Sequence, residues 1–217
     1  MTRSARPHLL LATRSVGKLT ELRPMFEACQ VPVMDLEDLG LPYDTDEDAI
    51  EQFDTFEENA LAKARYFYEV SGGIPTVADD SGLEIFGLGG APGVRSKRWA
   101  AAARRDQGTP DTPGGDVDAS NNAMLVRAVA DLSDRRARYV CAAAYAGVGG
   151  QELVTRGEVT GTIVTEPRGS AGFGYDPYFV ADELGRTFGE ASREDKARVS
   201  HRARAFRALL ERLVVSG

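Results

Sequence analysis

Short apolar runs of strand length alternate along the chain with segments whose apolar residues recur at helical spacing. That alternation restricts the chain to an α/β architecture, although it does not set the order or handedness of the strands. His8–Ala12 reads as a buried strand. Across Gly17–Cys29, residues Leu19, Leu22, Phe26 and Cys29 share one helical face, and Pro24 predicts a kink or a restart. Asp35–Asp54 is acidic and reads as loop-rich. Thr55-Phe56-Glu57-Glu58 is a capping box that opens a helix to about Val70, where Ser71-Gly72-Gly73 stops it. Pro75–Ala78 and Leu83–Phe86 predict two short strands around a tight Asp79-Asp80-Ser81-Gly82 turn. Gly87–Gly93 reads as a Gly/Pro loop and Gln107–Gly115 as a mobile one. Ser120–Leu132 predicts a helix with Leu125, Val129 and Leu132 inward. Arg138–Gly147 and Glu152–Thr165 read as strands of a hairpin around Gly149-Gly150, followed by a Gly-rich loop at Pro167–Tyr175. Ser200–Val214 predicts an amphipathic helix, with Phe206, Leu209, Leu210, Leu213 and Val214 on one face.

Composition narrows the functional classes. The 217 residues suffice for one large domain or two intimate lobes around a real core. A formal net charge of −7 argues against broad binding to a nucleic-acid backbone, but a local basic pocket is enough for a small anion. The apolar runs Leu9–Ala12 and Val140–Ala144 are too short to cross a bilayer, and the first is too short for a signal-peptide core. These features predict a cytoplasmic protein with no membrane association. Cys29 and Cys141 make neither a disulfide framework nor a metal site, and read as reduced, partly buried thiols. His8 and His201 cannot build a His-rich site, so any metal should be hard and oxygen-bound, Mg²⁺ or Mn²⁺.

Five segments can carry chemistry. Thr13-Arg14-Ser15-Val16-Gly17-Lys18 follows a strand and opens a helix, whose N-terminus suits phosphate; alone it is a weak signal and reads more readily as an ordinary turn with a solvated lysine. It is not a Walker A loop, because the leading glycine is missing and Leu19 follows the lysine. Glu51, Glu57, Glu58 and Asn59 surround a helix start, either as dipole partners or as groups that position a metal. Asp79-Asp80 pairs two carboxylates that a shared cation would relieve; an Asx turn is the other reading. In Gly172-Phe173-Gly174-Tyr175-Asp176-Pro177, two glycines flank an aromatic that could stack on a base or pack inward. Lys196, Ser200, His201 and Arg202 place cations at a helix N-terminus, where they are unfavourable unless they face an anion or an acceptor-rich base.

Taken in order, these segments resemble the inosine/xanthosine triphosphate pyrophosphatase family, the Ham1-like enzymes that cleanse the nucleotide pool. Leu11-Ala12-Thr13 through Gly17-Lys18 is similar to the family's phosphate loop, and Thr55–Ala64 to its T-F-x-E-N-A-x-x-K-A helix. Ala78–Leu83 with Leu88–Val94 is the most specific stretch; Gly172–Pro177 and Lys196 with Ser200-His201-Arg202 close the series. The resemblance implies an elongated α/β fold of one domain over 1–217, two inseparable lobes around a long mixed sheet with the site in the cleft, usually as a homodimer. It implies hydrolysis of ITP, dITP or XTP to the monophosphate and pyrophosphate with Mg²⁺, for which Mn²⁺ can substitute.

The same resemblance assigns roles. Asp80 is the general base or water-orienting carboxylate and a metal ligand, with Glu51 the second metal acid. Thr13, Arg14, Ser15, Val16, Gly17 and Lys18 form the loop that holds the triphosphate, and Ser81 touches substrate. Phe173, Gly174, Tyr175 and Asp176 line the nucleoside pocket, while Lys196, His201 and Arg202 read the base and its 6-keto oxygen. Three departures bear on substrate preference and rate. Ser15 stands where the family has Asn, Arg14 where it has a small residue, and Arg95, Lys97 and Trp99 alter a segment in which Arg98 still matches. The rival readings are a Maf-like pyrophosphatase acting on pyrimidine or modified nucleotides, a nucleotide-binding protein without catalysis, and a nucleic-acid-binding module using Arg95, Lys97, Arg98, Arg104 and Arg105.

Overall fold

Six α-helices and seven strands alternate in the computed structural model, which describes residues 8–107 and 116–215. Strand β1 (Leu9–Leu11) leads into α1 (Val16–Ala28), and β2 (Val33–Asp35) follows. A 3₁₀ turn at Thr45–Ala49 precedes α2 (Phe56–Val70) and β3 (Thr76–Ile85). Next come α3 (Trp99–Asp106), α4 (Val117–Val129), β4 (Arg136–Ala146) and β5 (Glu152–Ile163). The chain ends in β6 (Phe179–Ala181), β7 (Arg186–Thr187), α5 (Arg193–Val199) and α6 (His201–Val215). The strands join one mixed sheet in the order β2-β1-β3-β4-β5-β6-β7, parallel among β1, β2 and β3 and antiparallel from β5 to β7. The α/β class read from the sequence is the one observed.

The chain falls into two compact units, each assembled from separate stretches of sequence. Among the described residues, the first comprises 8–80, 141–157 and 202–215, and the second 81–107, 116–140 and 158–201. In the first, Leu22 and Phe26 of α1 and Phe206, Leu209 and Leu210 of α6 pack with Leu9, Leu11, Val77 and Cys141. Phe26 and Phe206 meet edge to face at 5.9 Å. In the second, Leu125 and Val129 of α4 pack with Leu83, Ile85, Tyr139, Phe179 and Phe188.

Local chemistry explains most element boundaries. Thr55 caps α2 by accepting the Glu58 backbone N–H at 3.2 Å, and its hydroxyl donates to the Glu58 carboxylate at 2.6 Å. Gly72 and Gly73 then end the helix at positive φ, where a Cβ would be strained. Helix α4 begins three residues earlier than its apolar pattern, because Asp116 caps it by accepting from the Ala119 N–H. The hairpin between β4 and β5 turns through Gly149 and Gly150, both at positive φ. Helix α1 runs unbroken through Pro24, so the expected interruption does not occur. The Gln107–Gly115 loop falls, from residue 108 on, outside the described residues.

Residues 79–82 do not form a turn. The expected Asp79–Gly82 turn is instead the middle of one ten-residue strand, β3. Asp-Asp-Ser-Gly carries turn composition, but Asp79 and Asp80 are both buried in that strand. Cations remote in sequence, Lys18 and Arg202, make the buried Asp79 tolerable. Helices α3 and α5, only 8 and 7 residues long, were not expected from the pattern.

Candidate active site

In the first unit, the loop after β1 is built by its own hydroxyls. Thr13 Oγ1 accepts from the Ser15 N–H at 3.2 Å, and Ser15 Oγ accepts from the Lys18 N–H at 3.3 Å, capping α1. Val16 is exposed and Gly17 half-buried at the helix start. Lys18 is not a solvated lysine, because its Nζ lies 3.0 Å from Asp79 Oδ2. Arg14, grouped with the same loop, turns its guanidinium to Glu47 and to the carbonyls of Leu41 and Pro42.

Asp79 and Asp80 point to opposite faces of β3, as the two-residue period of a strand requires. Asp79 shares its face with Val77 and meets α1 and α6. Its Oδ2 pairs with Lys18 and with Arg202 Nε at 3.2 Å, while Arg202 Nη1 also pairs with Glu21 of α1. Burial works against the charge of Asp79, but Lys18, Arg202 and Lys63 outweigh it and hold the carboxyl well below the usual carboxylate range. Burial likewise disfavours the Arg202 cation, and Glu21 and Asp79 overcome that too. Arg202, which the resemblance assigns to the base, pairs in this structure with the Asp79 and Glu21 carboxylates.

Asp80 looks the other way, onto α2. Asn59 Nδ2 donates to its Oδ2 at 3.0 Å, while Asn59 also pins the Phe53 backbone through both its amide atoms. Burial and the charge of Glu51 push the Asp80 carboxyl up to about 6, against the pull of Lys18, Lys63 and Asn59. Lys63 pairs with Glu51 and donates to the Asp79 carbonyl at 2.8 Å. Thr13, Lys18, Glu51, Asp80 and Arg202 are thus brought together in one unit. Sequence reasoning gave Lys63 no role, although it stood in the quoted helix motif eight residues after the Thr55 cap. Glu21 was missed as well, since its partner Arg202 is remote in sequence.

These donors suit a divalent cation. Glu51 and Asp80 are two hard oxygen acids close enough for one charge to raise the other's proton affinity. Among the described residues no group of three or more His, Cys, Asp or Glu could form a metal cage. Two carboxylates fit Mg²⁺, which commonly takes one or two and completes its shell with water and phosphate oxygens.

The second unit holds the remaining expected residues. Ser81 follows Asp80 along β3 and is half-buried. Asp176 Oδ2 accepts from the Phe173 N–H at 2.9 Å and from Lys196 Nζ at 2.6 Å, both ion-pair partners being buried. Lys196 also lies 5.0 Å from the Phe173 ring centre and 5.4 Å from that of Phe188, a cation between aromatic faces. Gly174 is gripped on both sides from α4, its N–H by Asp118 at 2.8 Å and its carbonyl by Asn122 at 3.1 Å. Tyr175 is buried and donates to the Ser96 carbonyl at 2.7 Å, with Trp99 edge-on to its ring. Tyr175 is therefore a packed aromatic of the loop, and Phe173 the half-buried one. His201 stacks flat on Tyr139 at 4.6 Å and 7°, which fixes the plane of its ring.

A mixed α/β sheet with parallel strands at one edge carries a capped helix start and a carboxylate pair with lysines beside it, groups whose chemistry suits a phosphate ligand and a hard cation. The chain belongs to the Ham1 family, whose model matches residues 9–212. It is 42% identical over 207 residues to a dITP/XTP pyrophosphatase of Ralstonia nicotianae, covering 94% of this chain and 96% of that one. It is 45% identical over 203 residues to a dITP/XTP pyrophosphatase of Frankia alni, covering 93% and 94%. The solved structure of a HAM1 protein from Coxiella burnetii superposes with a TM-score of 0.78 at 32% identity, covering 96% of this chain and 98% of that one.

Proposed function

We propose that this chain hydrolyses non-standard purine nucleoside triphosphates, ITP, dITP and XTP, to the monophosphate and pyrophosphate. The observation that carries the reading is the placement of Asp80, a buried carboxylate held by Asn59 at 3.0 Å, with Glu51 and the Lys18 and Lys63 ammonium groups close enough to act on its charge. A carboxylate so placed can orient a water and take its proton. Asp80 orients a water at the α-phosphorus and accepts its proton. The water oxygen bonds to phosphorus, the bond to the bridging oxygen breaks, and pyrophosphate leaves with that oxygen. Lys18 and Lys63 offset charge on the phosphoryl oxygens. Glu51 and Asp80 would hold Mg²⁺, which supplies Lewis-acid neutralisation of the triphosphate.

Thr13, Ser15 and Gly17 shape the helix start for the triphosphate. Phe173, Gly174 and Asp176 line the nucleoside, and Lys196 and His201 read the base. Donors aimed at a 6-keto oxygen would meet the amino donor of adenine instead, a mismatch that can discriminate by up to roughly 10⁴-fold. Arg202 acts through Asp79, which it helps to keep ionised. The resemblance implies a homodimer; separately, none of the helices searched among the described residues is long and apolar enough to cross a membrane.

The test is incubation with ITP, dITP, XTP, GTP, ATP and UTP, with and without Mg²⁺, and identification of the products. Monophosphate and pyrophosphate from ITP and XTP, with ATP left largely intact, is the expected result. Preference for UTP would favour a Maf-like substrate range, and nucleoside diphosphate plus phosphate would overturn the reaction assigned.

A further inference from the structure

Arg14 stands at the tip of the loop between β1 and α1, yet it spends its side chain away from that loop. Its Nε and Nη2 fork onto the two carboxylate oxygens of Glu47 at 2.8 and 2.6 Å. Its Nη1 donates to the Leu41 carbonyl at 3.1 Å and its Nη2 to the Pro42 carbonyl at 2.8 Å. The guanidinium carbon also lies 5.9 Å from the Tyr43 ring centre. A bidentate fork fixed further by two carbonyls is far more directional than a single surface ion pair, and it leaves the cation beside a carboxylate that repels phosphate.

Glu47 is itself a structural knot. The same Oε1 accepts from the Asp44 N–H at 3.2 Å, closing the capping box of the Thr45–Ala49 turn. Ile50 caps that turn, and Glu51 is the next residue. A single short turn therefore connects the Arg14 fork to the acid that pairs with Lys63 and raises Asp80.

The geometry points to Arg14 as a positioning residue that ties the triphosphate loop to the Glu51 segment and sets Glu51 for the divalent cation, without touching substrate. This rests on the proposed function for the cation's role, but not for the tether itself. A small residue at position 14 would leave the 41–51 segment without this anchor.

Two readouts test it. Amide exchange across residues 44–51 is measured on metal-free, nucleotide-free protein, and the half-saturating Mg²⁺ concentration is measured for ITP turnover. Arg14→Ala and the nearly isosteric Glu47→Gln should both speed exchange across 44–51 and raise the Mg²⁺ requirement by about tenfold, the double variant being no worse than either single one. Arg14→Lys should not restore either readout, because an ammonium cannot make the fork. The assignment is overturned if Arg14→Ala raises KM for ITP at saturating Mg²⁺ while exchange and Mg²⁺ requirement stay unchanged, the signature of a direct phosphate ligand. If the unmutated protein turns over ITP without Mg²⁺, the proposed function loses its metal, and the exchange arm alone still decides whether Arg14 holds the segment.

Discussion

Asp79 and Asp80 are neighbours on β3, yet their carboxylates sit on opposite faces of the strand in opposite electrostatic surroundings. Asp79 meets Lys18 and Arg202 and is held ionised; Asp80 meets Asn59 and the charge of Glu51 and is pushed up to about 6. Adjacent residues thus provide one carboxylate that organises cations and another whose proton affinity is raised. The division follows from strand geometry, since side chains one residue apart cannot share a face.

Asp80→Asn should stabilise the metal-free protein while abolishing most of its turnover. The folded Asp80 carboxyl takes a proton at about 6, above its ordinary value of 3.8. The folded protein therefore binds a proton between those values that the unfolded chain does not. Its contribution to stability is greatest below about pH 4 and is lost as pH rises through 6. At pH 7.5 the ionised carboxylate costs up to about 3 kcal/mol, which the amide removes while keeping an acceptor for Asn59. Thermal unfolding of the metal-free proteins should show the variant more stable at pH 7.5 and the gap closing toward pH 4. Turnover of ITP should fall by about 10²- to 10⁴-fold, and added Mg²⁺ should stabilise the unmutated protein more than the variant. A variant with unchanged turnover would remove Asp80 from the chemistry.

Asp79→Asn should do the reverse to stability. Arg202 and Lys18 would lose the carboxylate that offsets their burial, at a cost of about 3–5 kcal/mol. The Asp79 carboxyl is held below its ordinary value, so its stabilisation is present above pH 3.8 and lost as pH falls below that. Urea unfolding at pH 7 should show the deficit, and acid titration should show it shrinking. Equal midpoints at pH 7 would mean that Glu21 alone supports Arg202.

What the sequence disclosed and what it hid divide along the range of the forces involved. The α2 start was legible because Thr55 and Glu58 meet within one turn, and α6 because Phe206, Leu209 and Leu210 repeat at helical spacing. The continuity of β3 was not legible. Asp-Asp-Ser-Gly matches turn composition, and the cations that make buried aspartates tolerable come from Lys18 in α1 and Arg202 in α6. Glu21 and Arg202, 181 residues apart, carry no local signature of their pairing. Arg14 was placed with the triphosphate by its position in the loop, whereas its partners Glu47, Leu41 and Pro42 appear only once the chain is folded. The Asp176–Lys196 pair was half legible, since both residues lay in motifs but nothing in their spacing joined them.

Gly172→Ala should disturb the loop that presents Phe173. Gly172 has φ +78°, and a Cβ there would stand 2.0 Å from Asp176 Oδ2, the atom that accepts from Lys196. Both the backbone strain and the clash push Asp176 away from Lys196, with strain alone costing on the order of 1–3 kcal/mol. KM for ITP should rise severalfold with a smaller change in kcat, read from initial rates over a substrate series. An unaltered KM would show that the Asp176–Lys196 pair does not shape the nucleoside contacts.

Lys63→Met should shift the pH dependence of the reaction. The ammonium lies between the Glu51 carboxylate and the Asp79 carbonyl, and its charge lowers the proton affinity of Asp80. Burial disfavours the Lys63 charge, but Glu51, Asp79 and Asp80 more than compensate, so the lysine stays protonated. Methionine keeps most of the packing volume and removes the cation. The ionised form of Asp80 is then less favoured, its pKa rises, and the active base appears only at higher pH. The acidic limb of kcat/KM against pH, which reports the free enzyme, should move up by about one pH unit or more. Lys63→Arg should move it back, since a guanidinium restores the charge. A limb that stays in place in Lys63→Met would mean that a group other than Asp80 titrates there.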